Sequence, residues 1–316
     1  MDIFLGRTNL IIFNAPNPND PTGIKHFIDV RYLVQQAENI LKSGSPTPIF
    51  RMSSLEKLAL GLRESLQNSK TTTISKVGKD ETLAFWQSDM IKVAEWFTFD
   101  EFQLLPFQLR VSLKIQMIKG IWRVWSRLNR LATSMRARRR EICRDNMIMI
   151  DLKEESVVFH LSKTQIDVSW QSNYNVEQLK LFGYRYLDEK TELLIQEIIN
   201  LEPSDVELSY MLCQLCFYYV GKRFQGVFQE IADRLLEVLS NNLHDYYMKQ
   251  MGCSKYSGRI CGMMRINNQI QVQLKVNLQM FVIQKGIYER RAKAELMKIL
   301  DVFFIEFSDP EMLVDA

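Results

Sequence analysis

The run from Phe107 to Met135 limits the fold more than any other part of the chain. Apolar residues recur at Val111, Ile115, Ile118, Trp122 and Trp125, and again at Leu113, Met117, Ile121, Val124 and Leu128. Both sets keep helical spacing, and between them they cover most of the helix surface. Only Ser112, Gln116, Lys119, Arg123 and Arg130 leave a narrow polar stripe. A helix that is apolar nearly all round has to be buried on several sides. The spacing therefore predicts a central helix with other helices stacked on both sides of it. With only 13 glycines and 8 prolines in 316 residues, long helices are the expected partners.

The flanking sequence supplies those partners. Residues Asn14 to Gly23 hold three prolines and several Asn and Asp residues, so residues 1–24 read as an N-terminal extension or linker. A helical pattern begins at Lys25 and carries Val30, Leu33, Val34, Ala37 and Leu41. A second helix opens on a capping box, Ser53 with Glu56, and a later one on Ser204 with Glu207. Leu83, Trp86, Met90, Val93 and Phe97 form one helix stripe. The polar stretch Asn68 to Lys79 reads as a mobile loop. Met147–Ile150 and Val157–Leu161 are short apolar runs, and Ile166, Val168 and Trp170 alternate with polar residues. This predicts a small β-hairpin within a helical domain. Further helices are expected from Val176, from Thr191, over Val227 to Asn241, over Arg259 to Arg291, and through Leu296, Ile299, Phe303 and Phe307. Asp309 is a good N-cap with Pro310 behind it, but Pro310 to Val314 is barely one turn. So short a helix holds only by docking.

Several function classes are disfavoured. The net charge of +3 gives no concentrated basic face of the kind that binds nucleic acid. The cluster Arg136 to Arg140 is expected to be a solvated helix end, where cations favour the helix dipole. Five cysteines, an odd number, read as free thiols in a reducing compartment. Cys213 and Cys216 make a C-x-x-C without a second pair and sit in an apolar helix, so buried structural thiols are expected. No run approaches the ~20 apolar residues of a membrane span. His26, His160 and His244 fall in no metal or catalytic motif, and no phosphate-binding fingerprint is present. The chain is not expected to be an enzyme or to need a cofactor.

One long segment carries a family resemblance. AEWFTFDEFQLLPFQLRVSLKIQMIKGIWRVWSRL, with RLATSM after it, resembles the signature joining helices 3, 4 and 5 of the nuclear hormone receptor ligand-binding domain, in the form of the expanded (supplementary) nematode group. LVQQAENILKSGSPTPIF and SSLEKLALGL resemble that group's first helices. IDVSWQSNYNVEQLKLFG resembles its β-turn and following helix, while YSGRICGMMRINN and FFIEFSDPEML resemble its tenth helix and C-terminal end. The resemblance covers roughly Phe27 to Val314, so residues 25–316 are expected to form one such domain.

The resemblance implies an all-α, three-layer antiparallel helical sandwich with a small hairpin. It implies a ligand-sensing transcription regulator, placed in the nucleus and also in the cytoplasm, that binds a fatty acid or another lipophilic molecule. The pocket residues it implies are Trp86, Met90, Trp125, Leu128 and Met149. For a groove binding a coactivator or corepressor peptide it implies Lys92, Lys114, Ile118 and Glu311, although the family's helix-3 lysine position reads Glu95 here. The dimer face, toward a second copy or another receptor, would use Val276, Met280, Ile283 and Ile287. The family's DNA-reading half, two four-cysteine zinc modules, has no counterpart in this sequence, so no direct DNA contact is expected. The second reading is a receptor without that half, acting as a dimerisation module with an occluded pocket.

Overall fold

The computed structural model describes residues 11–13, 27–29, 31–43, 52–64, 70–99, 107–152, 155–167, 189–224 and 226–271. In chain order the helices are α1 (Arg31–Ser43), α2 (Ser54–Glu64), α3 (Lys79–Trp96), α4 (Phe107–Arg139), α5 (Glu189–Leu201), α6 (Asp205–Phe224), α7 (Val227–Asp245) and α8 (257–271). The strands are β1 (Ile11–Phe13), β2 (Phe27–Asp29), β3 (Lys70–Thr73), β4 (Lys76–Val77), β5 (Met147–Asp151), β6 (Glu155–His160) and β7 (Gln165–Ile166).

Helix α4 is 33 residues long, about 50 Å at 1.5 Å per residue. Met117, Ile121 and Leu128 are fully buried, and Ile118, Trp125 and Met135 nearly so. Its neighbours lie on both sides, as its apolar circumference demands. Helices α1 and α3 pack against each other and against α4 on one side. On the other side α5 and α6 pack against α4, and α7 covers α6. Helix α2 fits between α3, α6 and α7. This is the expected helical sandwich.

Both capping boxes form. The Ser53 amide donates to Glu56 Oε2 at 2.8 Å and the Glu56 amide to Ser53 Oγ at 3.3 Å. The Ser204 amide donates to Glu207 Oε2 at 2.8 Å and the Glu207 amide to Ser204 Oγ at 3.2 Å.

The expected hairpin is also present, with β5 and β6 antiparallel from Met147↔His160 to Asp151↔Ser156. It is one strand wider than its own sequence foretells. Residues Lys70–Thr73, read as loop, form β3 and pair in parallel with β6 from Lys70↔Glu155 to Thr73↔Val158. Two causes favour this strand. Thr71, Thr72 and Thr73 are β-branched, and the edge of the hairpin offers their backbone a ladder. Thr72 Oγ1 also donates to Glu155 Oε2 at 3.1 Å. Nearby, β4 pairs in parallel with β7. The first helix starts later than Lys25. Residues Phe27–Asp29 are strand, antiparallel to β1, and α1 begins at Arg31. The expected elements at Val168, Trp170 and Val176, at Leu296 to Phe307 and at Asp309 to Val314, lie outside the described residues.

The basic end of α4 departs in part from the solvated end expected: Arg139 and Arg140 are exposed, but Arg136 and Arg138 are not. Arg138 is 7% exposed and grips both Glu192 oxygens, each at 2.6 Å. Arg136 pairs with Asp205, and Arg139 with Glu202 at 3.3 Å. The acidic residues come from α5, the turn after it and the first turn of α6, which all meet the end of α4. The Glu192 carboxyl titrates below its ordinary range because Arg138 hydrogen-bonds its charged form. The helix then stops in a two-bond motif. The Ile142 amide donates to Ala137 O and the Glu141 amide to Arg138 O, both at 2.9 Å. Glu141 takes φ of 59°, where glycine is the usual occupant.

A second buried carboxylate joins α6, α7 and α8. Glu207 is 3% exposed. Its Oε1 accepts from Tyr247 Oη at 2.5 Å and Arg259 Nε at 2.6 Å, while Arg259 Nη2 donates to Oε2 at 2.7 Å. Tyr247 stacks on Tyr256 at 4.3 Å and 9°, and Tyr256 Oη meets His244 Nδ1 at 2.5 Å. Burial pushes the Glu207 pKa up, but the donors from Arg259, Tyr247 and Ser204 outweigh it and hold the carboxyl below 4.5.

Two outcomes follow. Glu141→Gly is expected to stabilise the fold by about 0.5–1 kcal/mol in urea titration, because it relieves a left-handed non-glycine residue. Glu207 has a depressed folded pKa, so its contribution is complete above pH 4.5 and is lost as pH falls through the folded value. Glu207→Gln should lower stability at pH 7 by about 2 kcal/mol and flatten the loss of stability below pH 4.5.

Candidate functional site

The interior between α3, α4 and the β5–β6 hairpin is where the candidate pocket residues fall. Trp86 and Met90 project from α3, Trp125 and Leu128 from α4, and all four join one continuous core at 5% exposure or less. Met149 is buried elsewhere. It sits with Ala137, Cys143 and Val158 in a small separate cluster, whereas its neighbours Ile148 and Ile150 enter the main core. Alternation along a strand sends successive side chains to opposite faces. Four of the five therefore belong to the main core of the domain and Met149 to the smaller cluster.

Aromatic rings fill much of this interior. Trp86 meets Trp122 edge-on at 6.3 Å, and Phe85 stacks on Phe159 at 6.3 Å and 15°. Near the C-terminal end of α3, Trp96 lies 6.0 Å from Trp125 and 5.2 Å from Phe97, which in turn meets Phe217 of α6 at 6.3 Å. The sequence reading passed over Trp96, Trp122, Phe85, Phe159 and Phe217 as site residues. Trp96 was within reach of it: a step of three from Val93 puts it on the buried face of α3.

Polar groups edge this interior, and most are held by one another. Lys92 Nζ donates to Asp151 O at 2.5 Å and pairs with Asp151 Oδ2 at 3.0 Å. Ser156 Oγ donates to Asp151 Oδ1 at 2.6 Å, and Ser88 Oγ to Asp151 O at 2.9 Å. The end of β5 is thereby fixed to α3. One turn along α3, Asp89 pairs with Arg130 of α4. Further up, the buried Lys114 donates from Nζ to Phe97 O at 2.6 Å. Some polar atoms break the pattern: Arg130 Nε and the indole nitrogens of Trp96 and Trp125 are buried and have no acceptor. Leaving a buried donor unpaired costs about 1–3 kcal/mol.

The candidate groove residues are spread differently. Ile118 is 1% exposed in the core, Lys92 and Lys114 hold the oxygens just named, and Glu311 lies outside the described residues. So do the candidate dimer-face residues Val276, Met280, Ile283 and Ile287. Cys213 and Cys216 are fully buried in α6, and burial pushes the Cys216 thiol far above its ordinary range. Among the described residues, no group of three or more His, Cys, Asp or Glu side chains is placed to hold a metal, and no helix is long and apolar enough to cross a membrane.

Residues 67–300 match the family model for the ligand-binding domain of nuclear hormone receptors. Similar proteins cover nearly the whole chain. Nuclear hormone receptor family member nhr-55 of Caenorhabditis elegans is 44% identical over 99% of this chain and 70% of its own length. Member nhr-98 of the same organism is 40% identical over 100% of this chain and 69% of its own, and nhr-130 is 38% identical over 99% and 68%. The layered helices around α4, the small sheet and these matches lead to one statement: the chain belongs to the nuclear hormone receptor family and carries its ligand-binding domain.

Proposed function

We propose that this domain senses a small lipophilic molecule, of the fatty-acid class or near it, and passes its presence to coregulator peptides in the nucleus. The observation that carries the reading is the interior between α3, α4 and the hairpin. It is built from Trp86, Met90, Trp125 and Leu128, and the charged groups at its edge are already paired. An apolar interior with a few fixed polar groups is the usual make-up of a small-molecule site. The family's role in ligand-regulated transcription supports the same reading and speaks against catalysis.

A ligand acts by binding one state better than another. Reversing a 1:99 balance takes about 5.5 kcal/mol of differential binding. At about 25 cal/mol per Å² of apolar surface, about 220 Å² of extra burial in the favoured state supplies that. The coregulator groove in this reading runs over Lys92, Lys114, Ile118 and Glu311. A peptide carbonyl reaching either lysine would replace one oxygen with another, Asp151 for Lys92 and Phe97 O for Lys114. The dimer contact in this reading uses Val276, Met280, Ile283 and Ile287, with a second copy or another receptor.

Native mass spectrometry of the chain taken from its own cells reads bound lipid and oligomeric state together. The expected spectrum shows a lipid-sized adduct, and re-adding that lipid at 100 times its Kd should stabilise the fold by about 2.7 kcal/mol in a thermal melt. A bare mass, with no apolar compound raising the melting temperature, would sink the proposal.

A further inference from the structure

Trp96 and Trp125 come from different helices, yet share one peculiarity. Each is 1% exposed, and each indole N–H lacks an acceptor. Indole nitrogen is a donor only, and buried donors in folded proteins are nearly always paired. Their ring centroids lie 6.0 Å apart with the planes tilted by 50°, so the two donors belong to one neighbourhood of the core. Among the described residues no oxygen accepts from either indole. Phe97 and Phe217 present rings, and the Phe97 carbonyl already accepts from Lys114.

We infer that Trp96 and Trp125 together hold the polar end of the ligand, through a single uncharged acceptor oxygen of a ketone, ester or alcohol. The inference rests on the lipid-sensing reading above and narrows it. Charge decides the class. A carboxylate buried here would need a cation or several strong donors to replace its hydration. Two cations of α4 near this interior are already engaged, Lys114 with Phe97 O and Arg130 with Asp89. A neutral oxygen has two lone pairs, accepts from both indoles, and leaves no buried charge. The rest of the ligand would run along the apolar surfaces of α3 and α4 toward Trp86 and Met90.

The test uses the whole chain with 15N-labelled indoles and four probes: 2-heptadecanone, methyl palmitate, palmitic acid and hexadecane. The chain has five tryptophans, so the spectrum holds five indole N–H resonances. Trp96→Phe and Trp125→Phe assign two of them. The ketone and the ester should move both resonances downfield and bind about a hundredfold more tightly than hexadecane, about tenfold for each of the two hydrogen bonds. Each variant should lose about that tenfold and keep its hexadecane affinity. If a variant does not fold, contact to the Phe97 ring protons identifies the Trp96 resonance in the unmodified chain, and contact to the Trp96 ring identifies that of Trp125.

Equal affinity for ketone and hexadecane with neither resonance moving would overturn the inference and leave lipid sensing intact. A persistent contact from both N–H groups to bound water while the ketone is present would do the same. Palmitic acid binding more tightly than the ketone through these resonances would overturn the uncharged class. Failure of all four probes to bind would overturn the inference and the lipid reading together.

Discussion

Burial of α4 is the constraint on which the other elements depend. A helix apolar on most of its circumference is unstable in water unless it is covered on several sides. One neighbour covers only a stripe, so α4 needs α1 and α3 on one side and α5 and α6 on the other. Helix α7 then covers α6, and α2 fills the space between the layers. The hairpin closes the remaining flank, with β5 lying against α4. Each partner needs only an amphipathic face of its own, and that is what the sequences of α1 and α2 provide.

Apolar packing is not directional, and it would tolerate α3 or α5 sliding along α4. The buried ion pairs remove that freedom. Asp89–Arg130 fixes α3 against the middle of α4, Lys92–Asp151 fixes α3 against the end of β5, and Arg138–Glu192 fixes α5 against the end of α4. Glu207 does the same for α6, α7 and α8 through Tyr247 and Arg259. Such pairs contribute modestly to net stability, since desolvation offsets their attraction, but breaking one is costly. Their effect here is on register. They hold the α3–α4 interior to one geometry, which a selective binding site needs.

The parts of this architecture that were legible in the sequence are those written by local pattern. The periodicity of 107–135 marked the central helix, Ser53–Glu56 and Ser204–Glu207 marked two helix starts, and the alternating apolar runs marked the hairpin. What escaped depends on partners remote in sequence. Thr71 to Thr73 become strand only because β6 is there to pair with them. Arg136 to Arg139 look like a solvated basic run until Asp205, Glu192 and Glu202 are brought to them. Of the candidate pocket residues, Trp86, Met90, Trp125 and Leu128 are buried in the main core, because helical spacing reports which face is buried. Met149 does not, because a strand in an apolar run such as MIMID buries both faces, and sequence alone does not say which face meets which core.

The parallel pairing of β3 with β6 bears on how the chain assembles. The β5–β6 hairpin is local and closes on the microsecond scale. Strand β3 must wait, because α3 and α4 lie between it and β6, and closing so long a loop is entropically unfavourable until contacts made on the way offset it. Docking of α3 on α4 shortens the loop that the ladder Lys70↔Glu155 to Thr73↔Val158 has to close, which favours its forming late. The amides of β3 are thus a clock for the folding reaction: their protection from solvent exchange dates the moment at which the helices around α4 have found their places.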